Sequence, residues 1–222
     1  MQNVGIIGNG PTELIPDLDN YKDKMDIWIG ADRGAITIID NDLPLNYALG
    51  DFDSISNEEK SLIQQQAHFF EEFPIEKDHT DLEIAIFKAY ELNPVSIYLF
   101  GVTGGRLDHS LINIQLLYAI IKNNIQGTIV DKYNQLTLTL PGTHTVVRSE
   151  EYPNISFIAY TPDVYGLTLE GFYYPLEHET VSWGSTLCIS NKLLSNNGTF
   201  SYQEGILLLV KSRDAISDAI PK

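Results

Sequence analysis

The sequence has very little cysteine and little positive charge. Its single cysteine, Cys188, allows no disulfide within the chain, which fits a reducing compartment. Lys and Arg number 14 against 30 Asp and Glu, a formal net charge of -16. So acidic a chain is a poor partner for nucleic-acid phosphates. It favours cationic ligands, and a phosphate substrate would need a divalent cation between itself and the carboxylates, although acidity also serves solubility alone. No apolar run approaches the roughly 18 residues of a membrane span. The opening MQNVGIIGNGPTEL lacks the basic region and long apolar core of a signal peptide. A cytoplasmic chain that binds neither membrane nor nucleic acid is the expectation. Internal repeats and low-complexity tracts are also missing.

What is present divides in two. Up to about residue 126, short apolar runs closed by Gly or Asp alternate with helical patterns. NVGIIG, MDIWIG, NYALG and VSIYLF read as strands. Residues 57–67, 79–92 and 107–122 read as helices. In the second, Leu82, Ile86 and Ala89 share a face with Ala85 beside them. The third is apolar enough to be buried. Strands alternating with helices imply a mostly parallel sheet covered on both faces, a Rossmann-like α/β domain. Beyond that point GTIVD, QLTLTL, HTVVR, NISFIAY, YGLTLEG, STLCIS, GTFSY and GILLLVK follow one another through PGT, TPD, NNG and QEG turns. That is the pattern of an antiparallel β-sandwich or barrel. The junction falls near residues 131–142.

The unusual residues sit at strand ends. GNGP (8–11), GADRGA (30–35), GDFDS (50–54) and GVTGGRLDH (101–109) each follow a predicted strand, and ligands of open α/β sheets bind at the carboxyl ends of strands. Gly and Asp also end strands well on their own account, so the set of four carries more weight than any one. Gly104, Gly105 and Arg106 precede a helix and suit a phosphate: glycines admit backbone N–H groups, the helix N-terminus is partly positive, and a guanidinium grips two oxygens. Asp108 and His109 follow on the first turn, where an Asp also simply favours a helix start. Asp51 and Asp53, two apart on an extended segment, face the same way while Phe52 turns into the core. Asp78 is a candidate N-cap, which leaves Asp81 free to join them. Three carboxylates of this kind suit Mg²⁺, a hard cation. Cys188 reads as a small buried hydrophobe in a strand, and Trp183 either fills the sandwich core or stacks on a ligand.

Taken in order, GDFDS, KDHTDLEIAI, GVTGGRLDHSLIN, GSTLCISN and GTFSYQEGILLLV resemble the thiamine pyrophosphokinases over nearly the whole chain. The resemblance implies transfer of a diphosphoryl group from ATP to the thiamine hydroxyl, with Mg²⁺, and a homodimer. It implies a nucleotide-binding catalytic domain over 1–135 and a thiamine-binding sandwich over 136–222. Asp51, Asp53 and Asp81 then hold the metal, with Asp32 near it. Thr80, Arg106, Asp108 and His109 line the nucleotide and thiamine pocket, and Ser190 and Asn191 reach the vitamin from the partner subunit. Arg33 and His109 depart from some relatives. Arg33 adds either a phosphate contact or a salt bridge, and the proton goes to Asp81, to Asp108, or late to phosphate or water. Two other readings stay in view: a pyrophosphokinase acting on a pterin alcohol, and a non-catalytic thiamine- or nucleotide-binding regulator.

Overall fold

The computed structural model describes residues 2–215. The chain folds as two compact units, Met1–Lys132 and Tyr133–Lys222. In the first, six strands run parallel: β1 (Asn3–Ile7), β2 (Ile27–Ala31), β3 (Tyr47–Gly50), β4 (Phe69–Glu72), β5 (Ser96–Phe100) and β6 (Gln126–Val130). Their order is β4-β3-β2-β1-β5-β6. Between them lie α1 (Gly34–Asp40), α2 (Asn57–Gln66), α3 (Asp81–Glu91) and α4 (Leu107–Lys122). The central strands are continuous apolar runs, with Val4, Ile6, Ile7, Ile29, Ile97 and Leu99 buried, because helices cover both faces of a parallel sheet. The order reverses direction at β1: β2 lies on one side of it and β5 on the other. Such a reversal leaves a crevice at the carboxyl ends of the two strands it separates.

Several local expectations change. β4 has no apolar signature because it is an exposed edge strand of the sequence FFEE. The segment GTIVD, read with the sandwich, is instead β6 and pairs parallel with β5; α4 is the crossover that makes this possible. Helix α4 spans the expected 107–122, yet it buries only Leu117 and Ile120 and leaves Leu107, Leu111, Ile112 and Tyr118 exposed. Helix α3 buries Leu82, Ala85, Ile86 and Ala89 as its spacing predicts. It begins at Asp81, not 79: its N-cap is Thr80, whose hydroxyl accepts from Glu83 N–H at 3.2 Å, and Asp78 lies outside.

The second unit contains β7 (Asn134–Thr139), β8 (Gly142–Val147), β9 (Asn154–Ala159), β10 (Asp163–Glu170), β11 (Leu176–Ser182), β12 (Asn197–Tyr202) and β13 (Leu207–Ser212). β13 pairs antiparallel with both β7 and β9, and the other four form an antiparallel sheet in the order β11-β10-β12-β8. Phe157 packs edge-on against Phe172 and Phe200, at 5.4 and 5.0 Å between ring centres, in a core shared with Val164, Leu167 and Val181. STLCIS is a turn segment and not a strand. Its apolar alternation is met another way: Cys188 is buried, with its carbonyl accepting from Phe157 N–H at 3.0 Å, while Leu187 and Ile189 face solvent. The strand in that region is β11, mostly exposed and polar. Trp183, at the end of β11, is 67% exposed, which removes the core-filling alternative.

Candidate active site

The crevice at the β1–β5 reversal is built from two loops that touch. Gly10 N–H donates to the Gly101 carbonyl at 2.7 Å, and a Cβ at Gly10 would lie 2.5 Å from that oxygen. Only glycine allows this approach. Beyond it, Gly104 and Gly105 adopt φ of 86° and 66°, a left-handed path that other residues avoid. A cavity of about 660 Å³ opens there, a volume suited to a nucleotide-sized ligand. Asp32, Arg33, Thr80, Asp81, Arg106 and His109 border it, together with Gly104 and Gly105.

The carboxylates converge beside this cavity. Asp32, Asp51 and Asp53 each offer an oxygen within 4.8 Å of the others. The segment between the last two is not extended: Phe52 takes φ 54° and buries its ring against Phe70, 4.9 Å between centres. That turn aims both neighbours the same way, and Asp51 Oδ1 also accepts from Asp53 N–H at 3.3 Å. Asp51 therefore caps a turn and belongs to the cluster at once. Asp32 is buried and left-handed at φ 52°. Its Oδ2 accepts from Ser54 Oγ at 2.7 Å and Asn9 Nδ2 at 3.1 Å, while Oδ1 is buried with no hydrogen-bond partner among the described residues.

Asp81 reaches the cluster through Lys77. The Lys77 ammonium lies 2.7 Å from Asp51 Oδ2 and 2.9 Å from Asp81 Oδ1. Burial alone would raise the Asp51 carboxyl, but the Lys77 hydrogen bond and the Asp53 N–H outweigh it and hold it low. Asp53 is pushed up, first by the charge of Asp51. Asp81 is pushed up mainly by burial, with Asp51 and Asp32 adding to the effect against Lys77. This is the signature of like charges gathered without enough cation.

Arg106 and Asp108 form a two-bond ion pair, Nε–Oδ1 3.1 Å and a terminal nitrogen–Oδ2 2.5 Å, which holds the Asp108 carboxyl down to about 2. Asp108 does not border the cavity. Arg33 pairs with Glu59 at 2.8 Å, and Glu59 also accepts from Ser56 N–H in the capping box of α2. Ser190 and Asn191 lie in the second unit. Ser190 takes φ 58° and borders a cavity of about 440 Å³ with Tyr173, Tyr174 and Lys192. Asn191 is buried, and its amide is engaged: Oδ1 accepts from Tyr174 N–H and Lys192 N–H, and Nδ2 donates to the Tyr174 carbonyl. Asn191 thus fixes the shape of the Tyr174 loop. Sequence reasoning misses Lys77, Asn9 and Ser54. The visible signal for Lys77 is a lone cation in the acidic run EKDHTD.

Both units have counterparts among known proteins. A family model described as thiamin pyrophosphokinase, catalytic domain, matches residues 18–129, and one described as its vitamin B1 binding domain matches 143–207. The curated thiamine pyrophosphokinase of Bacillus subtilis is 44% identical over 214 residues, 96% of this chain and 100% of that protein. A crystal structure of the Bacillus subtilis thiamine pyrophosphokinase superposes with a TM-score of 0.90 at 43% identity, covering 96% of this chain and 100% of that one. A family protein from Enterococcus faecalis superposes at 0.86 with 28% identity, covering 96% and 99%.

Proposed function

The chain belongs to the thiamin pyrophosphokinase family, and from that premise we propose that it moves the diphosphoryl group of ATP onto the thiamine hydroxyl, giving thiamine diphosphate and AMP. The observation that carries this reading is the meeting of Asp32, Asp51 and Asp53 beside a glycine-rich loop at the sheet's reversal point. Residues 1–135 carry the nucleotide chemistry in it, and residues 136–222 take the vitamin.

The donor set fits Mg²⁺. All its oxygens are carboxylate, the preference of a hard cation. Asp32 Oδ1 is buried without a donor among the described residues, and the Asp53 and Asp81 carboxyls are raised by neighbouring charge and burial. Asp51, Asp53 and Asp81, with Asp32, are the residues that would hold it. A bound Mg²⁺ supplies charge neutralisation for the polyphosphate.

Phosphoryl chemistry asks for positioning and charge balance more than covalent help. Backbone N–H groups of 101–106 and the first turn of α4, which has no side-chain cap, receive phosphate oxygens. Arg106 exchanges Asp108 for the ligand. The thiamine oxygen bonds to the β-phosphorus, the bond from that phosphorus to the bridging oxygen breaks, and AMP leaves with the electron pair. Of the two candidate proton acceptors, Asp108 is held acidic by its ion pair with Arg106 and becomes available only once Arg106 has turned to the ligand. His109 faces the heterocycle. Ser190 completes the vitamin site from a second copy, with the exposed Trp183 as its stacking ring, and Asn191 shapes that loop. The cationic thiazolium suits an acidic cleft, and a lone buried thiol suits the cytoplasm.

The test is AMP release from ATP. The expected result is release that requires both thiamine and Mg²⁺ and disappears in Asp53→Ala. Release with a hydroxymethylpterin but not thiamine would overturn the substrate, and thiamine binding without AMP would overturn catalysis.

A further inference from the structure

Lys77 is the cation that the site already contains. It stands in the segment between β4 and α3, its side chain only 14% exposed, with its ammonium between Asp51 and Asp81. Among the described residues it is the one Lys or Arg that forms ion pairs with two carboxylates of this cluster. A monovalent ammonium cannot satisfy the whole group: Asp32 Oδ1 stays without a donor, and Asp53 forms no ion pair among the described residues. Two cations cannot share the same carboxylate oxygens at close range without repulsion.

We infer that Lys77 is a resident counter-ion that a divalent cation must displace from Asp51 and Asp81, so that the lysine sets the threshold for metal entry. The inference rests on the proposed metal role of those carboxylates. With the cation absent, the ammonium keeps Asp51 and Asp81 drawn together across 26 and 4 residues of sequence. When the cation arrives, the ammonium is released next to a cavity shaped for polyphosphate, where it is a donor for phosphate oxygens. The cost of assembling three acids is thereby met by the chain itself, and metal occupancy becomes tied to the arrival of a phosphate ligand that can take over the lysine. Lys77 is in this sense a positioning residue, because its effect passes through Asp51 and Asp81.

The experiment measures binding of Mn²⁺ alone to the full chain, by paramagnetic resonance of the free ion at fixed ionic strength. Breaking the two ion pairs of Lys77 costs an incoming ion about tenfold in affinity, and removing the ammonium restores it. Lys77→Gln and Lys77→Met should each bind Mn²⁺ about tenfold more tightly than the parent, and Lys77→Arg should bind like the parent. A purely structural lysine would give weaker or unchanged binding in the neutral variants, and that result would overturn the inference. In the parent itself, the Lys77 ε-methylene resonance, assigned through Lys77→Arg, should move as Mg²⁺ is added. A resonance that stays fixed at saturating Mg²⁺ would overturn it even if both neutral variants failed to fold. Tighter Mn²⁺ binding without thiamine-dependent AMP would leave this inference standing and remove the proposed function. Thiamine-dependent AMP with unchanged Mn²⁺ binding would do the reverse.

Discussion

Asp51 and Asp53 lie two residues apart but have different surroundings, and substitution should separate them. Asp51 is paired with Lys77 and accepts a backbone N–H, whereas Asp53 is exposed and is pushed toward protonation by its neighbour. Asp53→Asn removes a repulsion and leaves no partner stranded, so denaturant unfolding should show stability unchanged or slightly raised. Asp51→Asn takes away one of two partners of a mostly buried ammonium and should cost about 1–3 kcal/mol. Both variants should lose thiamine-dependent AMP release by at least about a hundredfold if charge stabilisation is the main catalytic lever. Equal stability losses would show the two positions to be equivalent. The spacing of these acids was legible because it is local. Lys77 was not, since Asp51 is 26 residues away in sequence. Nor did any pattern announce the left-handed backbone at Asp32 and Phe52, a conformation that costs on the order of 1–3 kcal/mol and survives where surrounding structure insists on it.

Elements with a buried face were readable, and two exposed edge strands, β4 and β11, were not. Helix α3 matched its four-residue apolar set because that face meets the sheet, while β4 and β11 hide behind exposed polar residues. STLCIS misled because one buried residue among exposed apolar neighbours imitates a strand. In the second unit, β7 and β12 are joined by a buried pair: Tyr202 donates to the Thr139 carbonyl at 2.5 Å and shares a 3.0 Å contact with its hydroxyl. Burial pushes the Tyr202 phenol up to about 12, against the hydrogen bond with the Thr139 hydroxyl. The folded chain thus keeps a proton that the unfolded chain releases near pH 10. Stability from this group is complete below pH 10 and declines as pH rises through about 12, by about 3 kcal/mol in all. Cys188, pushed up to about 11 by burial, adds a decline of its own that begins earlier, near pH 9. Tyr202→Phe should flatten the fall in unfolding free energy between pH 10 and 12; an unchanged slope would show that the phenol titrates alike in the folded and unfolded states.

For the whole molecule, a net charge of -16 is unfavourable to compactness and favourable to cations. A cation that binds only the folded chain stabilises it by about 2.7 kcal/mol at a hundredfold excess over its dissociation constant. Mg²⁺ should therefore raise the melting temperature by a few degrees. NaCl at matched ionic strength should not reproduce the rise, and Asp32→Asn with Asp53→Asn should abolish it. An equal response to NaCl would point to screening of the general charge. The division into an alternating and an all-β half was legible at this scale, because no helical pattern follows α4, although β6 still belongs with the first half. The exposed side of α4 was not, since composition cannot say which apolar faces stay uncovered.

The place of β13 has a consequence for synthesis. Among the described residues it is the last strand in chain order, yet it lies between β7 and β9 and supplies the partner hydrogen bonds of both. During translation those two strands therefore wait with open, adhesive edges until Leu207–Ser212 has left the ribosome. A nascent chain stalled at Gly205 is one in which the earlier unit has all six of its strands while the later sheet lacks its middle, and it is at that moment that the protein is most exposed to chaperones, proteases and its own neighbours.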